Sequence, residues 1–152
     1  MTISGRSTIF QPNLSSFEPM FLLDTNILSD LIRHPQGAIA AQIAEVGESE
    51  IATSIIVAGE LRYGAERRGS PRLTAQLEAI LELLPVLPLG DDADSYYGRL
   101  RTGLERRGTP IGANDMLIAA HALTLGATLV TDNVREFERV EGLTIANWLR
   151  TA

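Results

Sequence analysis

Short apolar runs alternate along this chain with longer stretches of helical periodicity, and that alternation is its first structural signal. Met20-Phe21-Leu22-Leu23 is bulky and apolar at every position, stops at Asp24-Thr25-Asn26, and gives way to the helical pattern Ile27-Leu28-Ser29-Asp30-Leu31-Ile32. A run with no polar alternation predicts a strand buried on both faces, here feeding a helix that ends at Arg33-His34-Pro35 because proline cannot continue it. Glu50 to Thr53, the proline-flanked Pro85 to Leu89 and Ala127 to Thr131 read as further strands, with a last one near Leu143 to Ala146. The prolines demote the Pro85 segment to a sheet edge. Between the strands, helical spacing covers Gly37 to Val46, Ile55 to about Arg68, Pro71 to Leu84, Asp91 to Arg107, Ala113 to Leu125 and a short piece around Val134 to Arg139. Ser70-Pro71 is a cap followed by a first-turn proline, and Gly126 follows the last periodic residue of its helix. Strands alternating with helices throughout predict an α/β fold of three layers, α/β/α, with a central parallel sheet of about four or five strands.

Composition narrows this picture. A chain of 152 residues with 45% hydrophobic and 21% charged residues reads as one globular domain with a real core. Residues 1–19 are rich in Ser, Thr, Pro and Asn and have no apolar signal core, so they read as a disordered or loosely packed N-terminal extension, with 20–150 as the folded domain. Met20 directly before the first strand makes an alternative start site plausible. No run is long and apolar enough for a membrane span. With no cysteine, any metal must be held by oxygen or by the two histidines. All thirteen basic residues are arginine, which removes lysine-dependent folds with a strand-end aspartate, such as P-loop proteins and receiver domains. A net charge of −6 argues against a generic nucleic-acid binder, unless the acids are gathered in one pocket and neutralised by cations.

Four acids stand where charge is awkward for folding. Asp24 and Asp132 each end a buried strand, Asp115 lies in the first turn of an apolar helix, and Glu60 interrupts a core-facing run. Each has a plain structural reading: a helix cap for Asp24 and Asp115, a turn residue for Asp132, a solvated face for Glu60. Jointly they point elsewhere, because such a fold brings strand ends and helix starts to one rim. Gathered carboxylates need raised pKa values or a cation, and hard divalent ions with oxygen ligands are the natural answer.

The segments Leu22-Leu23-Asp24-Thr25-Asn26, Glu60-Leu61-Arg62-Tyr63-Gly64, Gly112 to Ala120 and Leu129-Val130-Thr131-Asp132-Asn133 with Arg135-Glu136-Phe137, in this order, resemble the PIN domain, and more narrowly the VapC toxins of type II toxin–antitoxin modules. The resemblance covers Met20 to Leu149 and includes the closing segment with Trp148. It implies a Mg²⁺-dependent (or Mn²⁺-dependent) endoribonuclease, cytoplasmic and homodimeric, whose RNA substrate is cut to a 5′-phosphate and a 3′-hydroxyl and whose partner is a small antitoxin. It makes Asp24 and Asp115 metal ligands, Glu60 a ligand or orienter of ligand waters, and Asp132 a more variable fourth acid. Thr25, Asn26, Asn114 and Thr131 become the groups that orient these carboxylates. Two alternatives stay open: a PIN nuclease of RNA processing without an antitoxin, and an inactive metal-binding scaffold.

The arginines Arg62, Arg67 and Arg68 lie on or just after the Glu60 helix and read either as a solvated face or as contacts to RNA or antitoxin. His34 reads as a surface or capping residue. His121, six positions past Asp115, is rotated away from that acid. Tyr96 and Tyr97 read as core or dimer interface rather than a base-stacking platform.

Overall fold

The computed structural model describes residues 18–150, so most of the expected N-terminal extension lies outside the described residues. The elements follow the order β1 (Phe21–Leu23), α1 (Thr25–Arg33), α2 (Ala38–Val46), β2 (Ile51–Ser54), α3 (Ile55–Arg68), α4 (Pro71–Leu83), β3 (Val86–Leu87), α5 (Ala93–Arg106), α6 (Ala113–Leu125), β4 (Thr128–Val130), α7 (Val134–Phe137) and β5 (Ile145–Ala146). All four strand pairings are parallel, and the five strands lie in the order β3-β2-β1-β4-β5. The three-layer α/β/α expectation therefore holds.

The strand order follows from burial. β1 is central, and its Leu22 and Leu23 have no exposed surface, as a strand covered on both faces requires. β3, expected at an edge from its prolines, is at an edge. The chain runs from β1 through β2 to β3 by way of α1–α4 and returns to β4 and β5 by way of α5–α7. The main core gathers Leu22, Leu28, Val57, Ile118, Leu129 and Phe137 around the sheet. A satellite cluster of Ile32, Ala58, Ala65, Leu77 and Leu81 joins α1, α3 and α4.

Helix ends match the punctuation of the sequence. Ser70 accepts from the Leu73 amide at 3.2 Å with Pro71 in the first turn of α4. Gly69 and Gly126 close α3 and α6 at φ of 61° and 66°, left-handed values that a side chain would strain. Most boundaries shift by a residue or two from expectation, and two of the shifts have a visible cause. α1 starts at Thr25 rather than Ile27, because the Asp24 carboxylate accepts from the Thr25 amide at 2.8 Å and caps the helix two residues earlier. α7 ends at Phe137, whose fully buried ring anchors so short a helix.

One consequence of this topology positions everything that follows. The chain moves from β1 to one side, to β2, and later returns to the other side, to β4, so the order reverses between β1 and β4. In open α/β sheets the crevice outside the carboxyl ends at such a reversal is where ligands sit.

Candidate active site

Asp24 leaves the end of β1 directly into that crevice. Its amide donates to the Val130 carbonyl at 2.9 Å, extending the sheet by one residue. The carboxylate is only 4% exposed. Besides the Thr25 amide it accepts a hydrogen bond of 2.7 Å from the Thr131 hydroxyl across the strand pair. The Thr131 hydroxyl in turn accepts from the Asn133 amide at 2.9 Å, fixing the turn after β4. Burial pushes the Asp24 pKa up, the hydrogen bonds from Thr131 and Thr25 oppose this, and the charges of Glu60 and Glu136 push it up further.

Glu60 reaches the same crevice from the second turn of α3. One carboxylate oxygen accepts from the Thr25 hydroxyl and the other from the Asn114 amide nitrogen at 3.2 Å. Thr25 and Asn114, both expected to orient carboxylates, therefore touch Glu60, and Thr131 touches Asp24.

Asp115 stands at the third position of α6. Its half-buried setting, a proton shared with Glu136, and the charges of Glu136, Asp24 and Glu60 together raise its pKa to about 7. The helix N-terminus would by itself favour a carboxylate, so the crowding of acids outweighs it. Glu136, brought over the site by α7, is the acid that sequence reasoning passed over. Burial pushes it up, but the Gly112 amide at 2.8 Å, the proton of Asp115 and the Asn133 side chain at 3.1 Å hold it below the usual glutamate range. Its signal was present in Arg135-Glu136-Phe137: an acid one turn after a strand end, beside a phenylalanine that buries the helix.

Asp132 is placed differently. Its side chain accepts from Asn147 at 2.9 Å and from Arg150 at 2.8 Å, and the arginine and amide hold its pKa down. Its backbone amide donates to the Asn26 side chain at 3.1 Å, so Asn26 holds the turn after β4 rather than a carboxylate. The cavity at the crevice is lined by Asp24, Glu60 and Asp115, with Thr25, Ser29, Arg33 and Asn133 among the other walls; neither Asp132 nor Glu136 lines it, and Glu136 reaches the cluster through Asp115.

Of the arginines, Arg62 is paired with Glu78 on α4, Arg67 lies over the Tyr63 ring with its guanidinium carbon 5.7 Å from the centroid, and Arg68 lines a second cavity beside the first. His121 is fully buried, its Nδ1 2.9 Å from the Ser54 hydroxyl that caps α3, and burial depresses its pKa. His34 is exposed at the end of α1, and Tyr96 and Tyr97 pack against the main core.

Does this donor set suit a hard divalent cation? Among the described residues no group of three or more His, Cys, Asp or Glu side chains is placed to hold a metal ion together. Mg²⁺ does not need one, because it keeps several waters and takes one or two protein carboxylates. The acids present are all oxygen donors, Asp24 is fixed by two hydrogen bonds, and burial with the acidic neighbours raises the Asp115 pKa to about 7. Among the described residues no arginine or histidine lies within ion-pair distance of Asp24, Glu60, Asp115 or Glu136. A negative cluster with no ion-paired protein cation, Arg33 lining the crevice and Arg139 acting on Glu136 only at a distance, fits a bound one.

Comparison with known proteins gives the following. A family model described as PIN domain matches residues 21–143. Ribonuclease VapC2 of Rickettsia felis is 38% identical over 131 residues, which is 85% of this chain and 98% of that protein. The tRNA(fMet)-specific endonuclease VapC of Salmonella typhimurium is 38% identical over 129 residues, 84% of this chain and 97% of that one. The solved structure of DNA-bound VapBC from Salmonella typhimurium shares the fold with a TM-score of 0.80 at 37% identity, over 86% of this chain and 98% of that one.

Proposed function

The chain belongs to the PIN-domain family and, within it, to the VapC ribonucleases, and from that premise we propose that it is the toxin of a toxin–antitoxin pair, an endoribonuclease dependent on Mg²⁺ or Mn²⁺. The observation that carries this reading is the group of carboxylates at the β1/β4 crevice, none of them in an ion pair, with Asp115 pushed up to about 7. Asp24 and Asp115 would hold the ion directly, with Glu60 and Glu136 accepting from its waters. When bound, such an ion supplies a more acidic water and stabilises charge on the leaving oxygen.

The rest is work for the chain's own side chains. Thr131 and the Thr25 amide fix one orientation of Asp24, and Thr25 with Asn114 fixes Glu60, so little reorganisation accompanies reaction. The proton shared by Asp115 and Glu136 leaves when the cluster is neutralised, which frees both as acceptors. In the proposed reaction a water oxygen attacks phosphorus, the bond from phosphorus to the 3′ oxygen breaks, and that oxygen takes a proton, leaving a 5′-phosphate and a 3′-hydroxyl. Asp132 acts at a remove, holding the turn that presents Asn133 and leads into α7.

The partner is an antitoxin, which the VapBC complex among the structural relatives supports. A homodimer and a cytoplasmic setting carry over from the family as proposals of the same standing. No described helix is long and apolar enough to cross a membrane.

The test is cleavage of single-stranded and hairpin RNA by the purified protein, with Mg²⁺ and with a chelator, followed by identification of the product ends. Cleavage in Mg²⁺ that the chelator abolishes is the expected result. Cleavage indifferent to chelation would overturn the cation assignment, and intact RNA under all conditions would overturn the ribonuclease reading.

A further inference from the structure

Beside the acidic crevice lies a second cavity of about 250 Å³ between α1, α3 and α4. Its walls include the apolar side chains of Ile32, Leu61, Ala65, Leu73 and Leu77. It shares Thr25, Ser29, Arg33 and Glu60 with the crevice, so the two form one continuous depression. Arg33 and Arg68 also line it, both exposed and neither in an ion pair among the described residues.

Gly64 adds a different kind of observation. It sits inside α3, where glycine weakens a helix relative to alanine, and a Cβ built on it would meet nothing within 4 Å. Packing therefore does not demand glycine there. Because Gly64 lines this cavity, its missing side chain instead keeps the space open.

We propose that this cavity is a base-binding subsite, in which the nucleotide next to the cleaved phosphodiester is unstacked into the apolar pocket while Arg33 and Arg68 contact its flanking phosphates. The inference rests on the ribonuclease reading above. A strand with its phosphate at the acids has to run its neighbouring nucleotide over the adjoining depression. An unstacked base has two apolar faces for such walls, and arginine is the side chain suited to phosphate beside it. The net charge of −6 otherwise repels RNA, so a local pair of uncommitted arginines next to the acids is where the strand gains a hold.

The test uses the full-length protein, a short RNA that it cleaves, and the same RNA with the base removed on either side of the cut. Gly64→Leu, which fills the cavity, is compared with Gly59→Leu, a change at an exposed glycine of the same helix that lines neither cavity. Gly64→Leu is expected to raise KM roughly tenfold or more, since base stacking has about that worth. Melting temperature is expected to stay at or above wild type, and Gly59→Leu to cleave like wild type. Removing the base on one side of the cut should weaken wild-type cleavage by a similar factor and add little further loss in Gly64→Leu. Arg68→Glu, on the exposed rim, should raise KM and flatten its dependence on log salt by roughly 0.7 per lost phosphate contact.

If Gly64→Leu cleaves all these RNAs as wild type does, or if the base removal and the variant act additively, the subsite is overturned while the ribonuclease reading stands. If Gly64→Leu loses affinity for the antitoxin with RNA kinetics unchanged, the cavity belongs to a protein partner and the proposal is likewise overturned. A wild-type protein that cleaves no RNA overturns the ribonuclease reading itself.

Discussion

Two aspartates follow two neighbouring strands and meet opposite fates. Asp24 follows Leu22-Leu23 of β1, and Asp132 follows Leu129-Val130-Thr131 of β4. The strands are parallel, with Leu23 opposite Val130. Carried one residue further, that register sets Asp24 beside Thr131, and their side chains bond on the crevice side. Successive strand residues point to opposite faces, so Asp132, one residue later, turns away toward Asn147 and Arg150. One residue of offset separates a buried carboxylate with no cation from a partly exposed one with an arginine. Strand-end position alone does not make a site; register against the neighbouring strand and the charge of the nearest partner do.

Neutralising each aspartate in turn should separate the two roles. Asp24→Asn is expected to lower RNA cleavage by about three orders of magnitude or more, the loss appropriate to several kcal/mol of lost charge stabilisation. Circular dichroism should show the fold retained, because the asparagine oxygen can still accept from Thr25 and Thr131. Single-turnover cleavage by Asp24→Asn within tenfold of wild type would remove Asp24 from the reaction and the contrast with it.

The second test uses Asp115, which shares the crowded side. Its pKa is raised to about 7, so the native state holds a proton that the unfolded chain has released above its ordinary pKa of 3.8. Native thus binds more protons than unfolded between these values, and stability falls as pH rises through that window. Without divalent cation, Asp115→Asn should therefore melt higher than wild type at pH 8, by on the order of 1 kcal/mol once solvent screening of a half-exposed group is discounted. Cleavage should be lost at the same time. A variant that is inactive and also less stable would mean that Asp115 is neutralised by something other than its acidic neighbours.

Much of this was legible from residues alone, and the remainder has identifiable causes. The apolar run Phe21-Leu22-Leu23 and the first-turn acid of α6 are local patterns, so Asp24, Asp115 and the parallel sheet could be read directly. Glu60 was legible only jointly with the other acids, because a charge directly after Ile55-Ile56-Val57-Ala58-Gly59 could by itself be a solvated helix face. The turn of Asp132 toward Arg150 and the approach of Glu136 to Asp115 were not legible, since they depend on the β1/β4 register and on a four-residue helix held by Phe137. The pairing of Arg62 with Glu78 depends on the packing of α4 across α3, and no local pattern encodes it.

A smaller effect is expected on the other side of the comparison. Asp132→Asn keeps a hydrogen-bonding side chain toward Asn147 and loses only the charge facing Arg150, in an exposed setting where such pairs contribute little. Cleavage should fall by no more than about tenfold, through a looser Asn133 turn rather than through lost charge at the crevice. KM and kcat with their dependence on Mg²⁺ concentration separate the two causes. A loss as deep as that of Asp24→Asn, with a higher Mg²⁺ requirement, would put Asp132 back among the acids that hold the ion.

The smallest effect concerns His121, a buried ring that does not line the crevice. Its ring is fully buried against the Ser54 cap, and its pKa lies below the ordinary histidine value of about 6.5. Below that pH the unfolded chain takes up a proton that the native ring does not, so stability is lost as pH falls through about 6.5. His121→Gln keeps a polar group toward Ser54 without a titrating ring, so urea midpoints for it should lose less between pH 7 and pH 6 than those of wild type. Both proteins are best compared in the Asp115→Asn background, because the raised acid drives stability in the opposite direction over the same interval. Equal pH slopes for the two would mean that the native histidine binds its proton as readily as the unfolded one, against the depression that burial imposes.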